Sequence, residues 1–183
     1  MQRWRGQDEI PSDWGRCVVT IGVFDGVHRG HQELIGRAVK AGRSRGIPTV
    51  LMTFDPHPME VVFPGSHPAQ LTTLTRRAEL AEELGVDVFL VMPFTSDFMK
   101  LTPDRYVHEL LVERLHVVEV VVGENFTFGK KAAGNVDQLR RAGDRFGFAV
   151  DSVSLVAEHH RDETVTFSST YIRSCVDAGD MVA

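Results

Sequence analysis

The sequence predicts an α/β fold in which a parallel sheet carries helices on both faces. Short runs of β-branched residues alternate with amphipathic helical stretches along the chain. The runs are apolar almost throughout, which is typical of strands that are buried on both faces. The most informative motifs follow directly after predicted strands, where ligands bind in sheets of this kind. Together these observations indicate a Rossmann-like arrangement.

Five strands and four helices are predicted in order along the 183 residues. The strands cover residues 17–24, 49–54, 86–92, 117–122 and 148–155. The helices cover residues 31–45, 74–84, 103–115 and 136–146. Thr102, Pro103 and Asp104 make a good helix start, because they supply a capping hydroxyl, a proline at the first position and an acid near the positive end of the helix dipole. Gly85 is placed to end the preceding helix.

Composition and charge narrow the classes of function. The net charge of −5 argues against a general nucleic-acid surface, because phosphate backbones attract clustered Lys and Arg. Cys17 and Cys175 form neither a disulfide framework nor a zinc-ribbon spacing, which suits a reducing cytoplasm. No apolar run approaches the roughly 20 residues that cross a bilayer, and the first residues do not resemble a signal peptide. We therefore expect a cytoplasmic protein that contacts neither nucleic acid nor membrane.

The domain organisation follows from the length and the first residues. We expect one domain over residues 16–183, preceded by a mobile segment over residues 1–15. A domain of this size buries roughly 70% of its unfolded surface and needs no metal or disulfide to fold. Arg3, Trp4 and Arg5 are too few to form a nucleic-acid surface, and terminal segments are often mobile.

The segment GVFDGVHRGH, residues 22–31, joins the first strand to the first helix. Gly26 and Gly30 permit a tight turn and a close approach of the backbone to a ligand. The N-terminus of the helix offers unpaired N–H groups and a positive dipole end, which suit a phosphate. His28 and His31 are three residues apart and can project toward one point above it. The pattern is neither GxGxxG nor a Walker A loop, so it does not indicate an NAD or P-loop site.

This segment carries a family resemblance. His28-Arg-Gly-His31 resembles the HxGH signature of nucleotidylyltransferases, and residues 22–35 are similar to its version in bacterial FAD synthetases. The resemblance implies the nucleotidylyltransferase fold and an enzyme that transfers AMP from ATP to FMN, giving FAD and pyrophosphate. It implies that His28 and His31 are catalytic, stabilising charge on the triphosphate. Three further residues would contact ATP, namely Gly22, Phe24 and Gly30.

Two later segments resemble other motifs of the same family. TFDPHP, residues 53–58, matches the TFxPHP loop, which implies that His57 and Pro58 bind FMN. SSTYIR, which ends at Arg173, matches SSTxIR, and this implies that Arg173 is catalytic and grips phosphate oxygens together with Ser169 and Thr170. On the residues alone, the serines could equally cap a helix.

A third segment, GENFTFGKK at residues 123–131, follows the fourth predicted strand. The family commonly has aspartate where this chain has Asn125. Asparagine can still hydrogen-bond a nucleotide or a flavin, although it is a weaker metal ligand. Phe128 fits either the core or a stack on the flavin ring, and Phe63 and Tyr106 are further candidates for that stack.

The implied reaction needs no protein nucleophile, because positioning and charge stabilisation drive nucleotidyl transfer. Mg²⁺ is expected with ATP, held mainly by phosphates and water, so we predict no dedicated metal site. Three alternatives remain: another HxGH transferase with a different acceptor, a non-catalytic flavin-nucleotide binding module, and a zinc hydrolase using His28, His31 and His57.

The resemblance also implies a partner module. Bacterial FAD synthetases usually carry a riboflavin kinase after the adenylyltransferase part. Only 183 − 173 = 10 residues follow Arg173, too few for a second domain. We therefore expect the natural protein to carry a fused riboflavin kinase that this chain lacks.

Overall fold

The computed structural model describes residues 1–65, 68–154, 157–160, 163–166 and 168–179. The strands are β1 (Gln2–Arg5), β2 (Cys17–Ile21), β3 (Thr49–Asp55), β4 (Val88–Pro93), β5 (Val117–Gly123), β6 (Thr127–Phe128), β7 (Gly134–Asn135), β8 (Ala149–Val153), β9 (Ala157–His160) and β10 (Glu163–Thr166). The helices are α1 (Arg29–Arg45), α2 (Pro58–Val62), α3 (Leu74–Glu83), α4 (Pro103–Arg105), α5 (Val136–Phe146) and α6 (Ser169–Asp177). α4 continues directly as a π-helix over Tyr106–Arg114. Short 3-10 turns cover Gln7–Glu9, Phe98–Lys100 and Lys130–Ala132.

Six strands form one sheet in which every neighbouring pair is parallel, in the order β1, β4, β3, β2, β5, β8. All five residues of β2 and the first five of β3 are buried, because both faces of the sheet are covered. β6 pairs with β7 and β9 with β10, both antiparallel. The predicted α/β fold with a parallel, Rossmann-like sheet is confirmed.

Helices pack on both faces of this sheet. One face packs against the π-helix and α5, through a cluster that includes Val19, Met52, Leu111 and Leu139. The other packs against α1 and α3, through a cluster that includes Ile35, Leu51, Ala78 and Phe89. Successive residues of β3, Leu51 and Met52, thus belong to opposite layers, as the two-residue period of a strand requires.

The strand order reverses between β2 and β5. From β2 the chain moves outward through β3 and β4, whereas β5 and β8 lie on the other side of β2. The carboxyl ends of β2 and β5 therefore flank the switch point, which is where open α/β sheets leave a crevice for ligands. The N-terminus of α1 lies in the connection that follows β2.

Several predicted strand ends differ from the structure. The strand over residues 17–24 ends at Ile21, since Phe24 and Val27 have φ values of 54° and 42° that no regular strand allows. The strand over residues 86–92 begins only at Val88. The last predicted strand is Ala149–Val153, and its predicted end at residue 155 lies outside the described residues.

The N-terminal residues also differ from the mobile segment that we predicted over residues 1–15. β1 pairs in parallel with β4, with Trp4 opposite Leu90. Trp4 is only 9% exposed, and its ring meets that of Trp14 edge-on at a centroid distance of 4.8 Å. Arg114 donates hydrogen bonds of 2.8 Å to the carbonyls of Gln7 and Ile10. A buried aromatic ring and a paired backbone explain why this segment is held on the sheet.

Candidate active site

A cavity of about 280 Å³ lies at the switch point, between the carboxyl ends of β2 and β5. It contains seven of the residues that the sequence singled out, namely Gly22, Phe24, His28, Gly30, His31, Asn125 and Ser169. They come from three separate parts of the chain: the loop after β2, the turn after β5 and the start of α6. The parallel sheet brings them together because its strands all end at the same edge.

The loop between β2 and α1 turns sharply through left-handed backbone conformations. Phe24, Gly26 and Val27 have φ values of 54°, 84° and 42°. Glycine is favoured at position 26 because any other residue would be strained at this positive φ, and its Cβ would also displace the end of the Leu71 side chain, which lies 2.9 Å away. The turn buries Phe24 completely and directs the chain into α1 at the cavity wall.

His28 caps α1. Its Nδ1 accepts a hydrogen bond from the backbone N–H of His31, with an N to N distance of 3.4 Å. A neutral imidazole that accepts at Nδ1 carries its proton on Nε2, so His28 offers an Nε2–H donor for a ligand. The rings of His28 and His31 stack at a centroid distance of 3.6 Å. His31 Nδ1 is buried and has no hydrogen-bond partner among the described residues.

Both histidines are neutral at pH 7. Burial and, to a smaller extent, the neighbouring His28 lower the pKa of His31 to about 3. Burial also lowers the pKa of His28. Neutral rings can approach a triphosphate as hydrogen-bond donors without the desolvation penalty of a buried charge.

The lowered pKa of His31 predicts a specific loss of stability in acid. Below about pH 6.5 the unfolded chain protonates this histidine whereas the folded chain does not, so the free energy of unfolding falls as the pH falls toward 3. The slope from this one group is at most about 1.4 kcal/mol per pH unit. Urea unfolding of the wild type and of His31→Gln at pH 7, 6 and 5 should show a steeper fall for the wild type. Parallel curves would mean that His31 titrates normally in the fold.

α6 begins at the cavity with the serines of the SSTYIR segment. Ser168 caps the helix, accepting from the N–H of Tyr171 at 3.1 Å. The Ser169 hydroxyl donates to the backbone carbonyl of Asp25 at 2.8 Å and so ties α6 to the loop after β2. Both serines line the cavity, while Thr170 is exposed and does not. The capping role and the site role of this segment are therefore compatible.

Arg173 was predicted to grip phosphate oxygens, but its side chain does not line the cavity. Its Nη2 donates to Asp25 Oδ2 at 2.6 Å, and its Nε donates to the carbonyl of Ala69 at 2.8 Å. Asp25 is 1% exposed, so this is a nearly buried ion pair. A hydrogen bond between two charged groups is stronger than one to water, which explains why the Arg173 side chain points to Asp25.

A family model described as FAD synthetase matches residues 10–171. The chain belongs to the FAD synthetase family. It is 38% identical over 160 residues to the bifunctional riboflavin kinase/FMN adenylyltransferase of Escherichia coli K12, covering 87% of this chain and 50% of that protein. It is 36% identical over 180 residues to the protein of the same name from Pseudomonas fluorescens, and the match covers 98% of this chain and 56% of that protein. The chain thus spans about half the length of the curated relatives that it matches.

Solved structures agree on the fold. A structure described as a macrolide-efflux protein from Streptococcus pneumoniae superposes with a TM-score of 0.81 at 27% identity, covering 96% of this chain and 56% of the other. A pantoate-beta-alanine ligase from Francisella tularensis superposes with a TM-score of 0.54 at 12% identity, and the match covers 100% of this chain and 79% of the ligase. The second likeness concerns the fold alone. The predicted membership of the FAD synthetase family is confirmed.

In this family member, the residues predicted to bind FMN do not form one site with the cavity. Only Asn125 lines it. His57 caps α2, its Nδ1 accepting from the N–H of Met59 at 3.1 Å, and Pro58 is the first residue of that helix. Phe63 follows α2 and is 53% exposed. All three positions lie in the segment that follows β3, and none of them lines the cavity.

Tyr106 and Phe128 are core residues in the structure. They are 2% and 6% exposed, and their rings pack against each other at a centroid distance of 5.3 Å. Phe98 and Phe126 close the two ends of this aromatic cluster. Neither ring face is therefore open to a flavin, which corrects our prediction of these two residues as flavin contacts. For Phe128 the alternative that we left open, a place in the core, is what the structure shows.

Sequence reasoning missed the residues that surround Asp25. Thr72 and Arg77 both bond to its carboxylate, although neither lies in a recognised motif. One signal was available, because Arg77 falls on the apolar face of the predicted helix beside Ala78 and Ala81 and is 2% exposed. A charged residue at such a position needs a buried partner. An ionic cluster thus lies behind the cavity wall.

Metal ligands are sparse around this site. Across the described parts of the chain, no three His, Cys, Asp or Glu side chains are grouped so as to hold a metal ion. Asn125, Ser168 and Ser169 supply side-chain oxygens to the cavity. Mg²⁺ usually keeps several waters and binds through substrate phosphates, and this donor set fits that mode.

The described helices include none that is long and apolar enough to span a bilayer.

Proposed function

We propose that the chain is an FMN adenylyltransferase, which transfers AMP from ATP to FMN and releases FAD and pyrophosphate. One observation carries the proposal: in a chain of the FAD synthetase family, both histidines of the HRGH segment and the two serines of the SSTYIR segment line one cavity at the switch point of the sheet. That cavity also receives the N-terminus of α1, whose N–H groups favour phosphate.

The chemistry follows from these groups. A phosphate oxygen of FMN attacks the α-phosphorus of ATP, a new P–O bond forms, and the bond from that phosphorus to the oxygen bridging to the β-phosphorus breaks. The His28 Nε2–H and the buried His31 ring would donate to phosphate oxygens as charge moves onto the leaving pyrophosphate. Ser168 and Ser169 would orient the phosphate chain from the other wall. Mg²⁺ bound to the phosphates would neutralise part of their charge.

The FMN acceptor would approach from the side of α2. His57, Pro58 and the exposed ring of Phe63 stand at the sheet edge next to β2, at the end of β3. Asn125 would hydrogen-bond either substrate from the turn after β5. The side chain of Phe63 is about half exposed whereas Tyr106 and Phe128 are buried, so Phe63 would be the residue of the three that stacks on an isoalloxazine ring.

The test is a pair of reactions run side by side. The 183-residue chain should form FAD from FMN, ATP and Mg²⁺, and it should form no FMN from riboflavin, ATP and Mg²⁺. The reason is that the chain spans about half the length of relatives whose name joins two activities, and the family model that it matches is that of FAD synthetase. Chromatography separates the flavins in both mixtures.

The outcomes separate the alternatives. Formation of FMN from riboflavin would show that the kinase reaction also belongs to these residues. If the folded chain adenylylated nicotinamide mononucleotide but not FMN, it would be a transferase with a different acceptor. If it bound FMN and ATP without forming FAD, it would be a binding module.

A further inference from the structure

The carboxylate of Asp25 is the centre of a buried network behind the cavity wall. Asp25 is 1% exposed. Its oxygens accept hydrogen bonds from the backbone N–H groups of Leu71 and Thr72 at 3.0 and 2.9 Å. They also accept from Thr72 Oγ1 at 3.1 Å, from Arg77 at 3.3 Å and from Arg173 at 2.6 Å. A buried carboxylate is tolerated only with such partners, so the network is built around the charge of Asp25.

The ionisation state of Asp25 agrees with this geometry. Burial raises the pKa of its carboxyl, but the N–H groups of Leu71 and Thr72 and the charge of Arg77 outweigh burial and lower it below the usual value. One ionised carboxylate thus faces two guanidiniums.

The same network holds the loop that leads to His28. Thr72 Oγ1 accepts from the N–H of Gly26 at 2.9 Å, and Arg77 donates to the carbonyl of Val23 at 3.0 Å. On the other side, Ser169 donates to the carbonyl of Asp25 at 2.8 Å. The loop is thereby tied to the start of α3 and to the start of α6 at once.

The loop needs this support because its backbone is strained. Val27 is β-branched and has a φ of 42°, a conformation that such residues rarely adopt. A conformation of this kind persists only where surrounding contacts determine it. One residue later His28 caps α1 and stacks on His31. Any relaxation of the loop would therefore shift both histidines relative to a bound nucleotide.

We propose that Asp25 and Thr72 are positioning residues of the nucleotide site, which act through the loop after β2 by holding His28 and His31 where they meet the phosphates of ATP. The inference rests on the proposed function, because it takes ATP as the ligand of the cavity. Thr72 does not line the cavity, so its effect on ATP reaches the site through Gly26 and Asp25.

Thr72 allows a matched pair of variants. Thr72→Val keeps the shape of the side chain but removes its hydrogen bonds to Gly26 and Asp25, whereas Thr72→Ser keeps the hydroxyl that makes both. We expect the dissociation constant of MgATP, measured by calorimetry without FMN, to rise about tenfold or more in Thr72→Val and to change less than about twofold in Thr72→Ser. The dissociation constant of FMN should be the same in both.

A second variant and a stability control complete the experiment. Asp25→Asn removes the charge at nearly constant volume and should weaken MgATP binding more than Thr72→Val does. Thermal unfolding midpoints show whether each variant is folded at the temperature of the titration. Equal MgATP affinity in folded Thr72→Val, Thr72→Ser and wild type would overturn the positioning role. A wild type that binds MgATP but forms no FAD would overturn only the proposed function, and one that binds no MgATP would overturn both.

Discussion

Replacement of His31 by alanine should lower the turnover number for FAD formation by about 10²–10³-fold, which is the usual scale for losing one hydrogen-bond donor to a transition state. The ring of His31 lines the cavity with a buried Nδ1 that has no partner among the described residues, so a phosphate is its expected partner. Steady-state kinetics with saturating FMN and MgATP would measure the change. The dissociation constant of FMN, from its fluorescence, should stay within a factor of about two, because we expect the ring to meet the phosphates of ATP rather than the flavin.

The control for this variant is another histidine. His108 lies on the π-helix, where its half-exposed ring contacts Glu113 and Phe146 outside the cavity. His108→Ala should leave turnover unchanged. Turnover of His31→Ala close to that of the wild type would remove His31 from the mechanism, while equal losses in both variants would point to a general effect on the fold.

Trp4→Ala should lower the free energy of unfolding by about 3–5 kcal/mol, the usual cost of deleting a buried aromatic side chain. Trp4 is the one buried residue of β1, and its ring packs against Trp14 and the core beneath β4. Urea unfolding followed by circular dichroism would measure the loss. A loss of this size requires that residues 1–15 are held in the fold in solution.

Gln2 provides the matched comparison, because it lies on the same strand with an exposed side chain. Gln2→Ala should change the free energy of unfolding by less than about 0.5 kcal/mol. If Trp4→Ala cost no more than Gln2→Ala, the segment would be mobile, as its sequence first suggested.

The central strands were predictable because burial on both faces leaves an apolar run that needs no periodicity. β2 and β3 are such apolar runs, and each begins at the residue that the sequence predicted. β1 was missed for the opposite reason. Its sequence, QRWR, is polar except for one tryptophan, and only its partner β4, 86 residues further along, makes it a strand. A local pattern cannot contain that partner.

The candidate site was predictable in its residue types but not in their partners. The glycines and histidines of residues 22–31 indicated a phosphate site from local chemistry alone. Arg173 was expected on a phosphate, since a guanidinium suits both phosphates and carboxylates. Which of the two it meets depends on Asp25, 148 residues away. Tyr106 and Phe128 show the same limit, because their burial depends on packing with Phe98 and Phe126.

The pairing of β1 with β4 has a consequence for how the chain is made. β1 is synthesised before β4, and its partner emerges only after more than 80 further residues. Until then Trp4 lacks the strand against which it packs. Bringing such distant segments together is entropically costly and slow. β4 meanwhile exposes an unpaired edge that could recruit a strand from another chain. Docking of β1 therefore covers the edge of β4 late in folding and removes that edge as a site for aggregation.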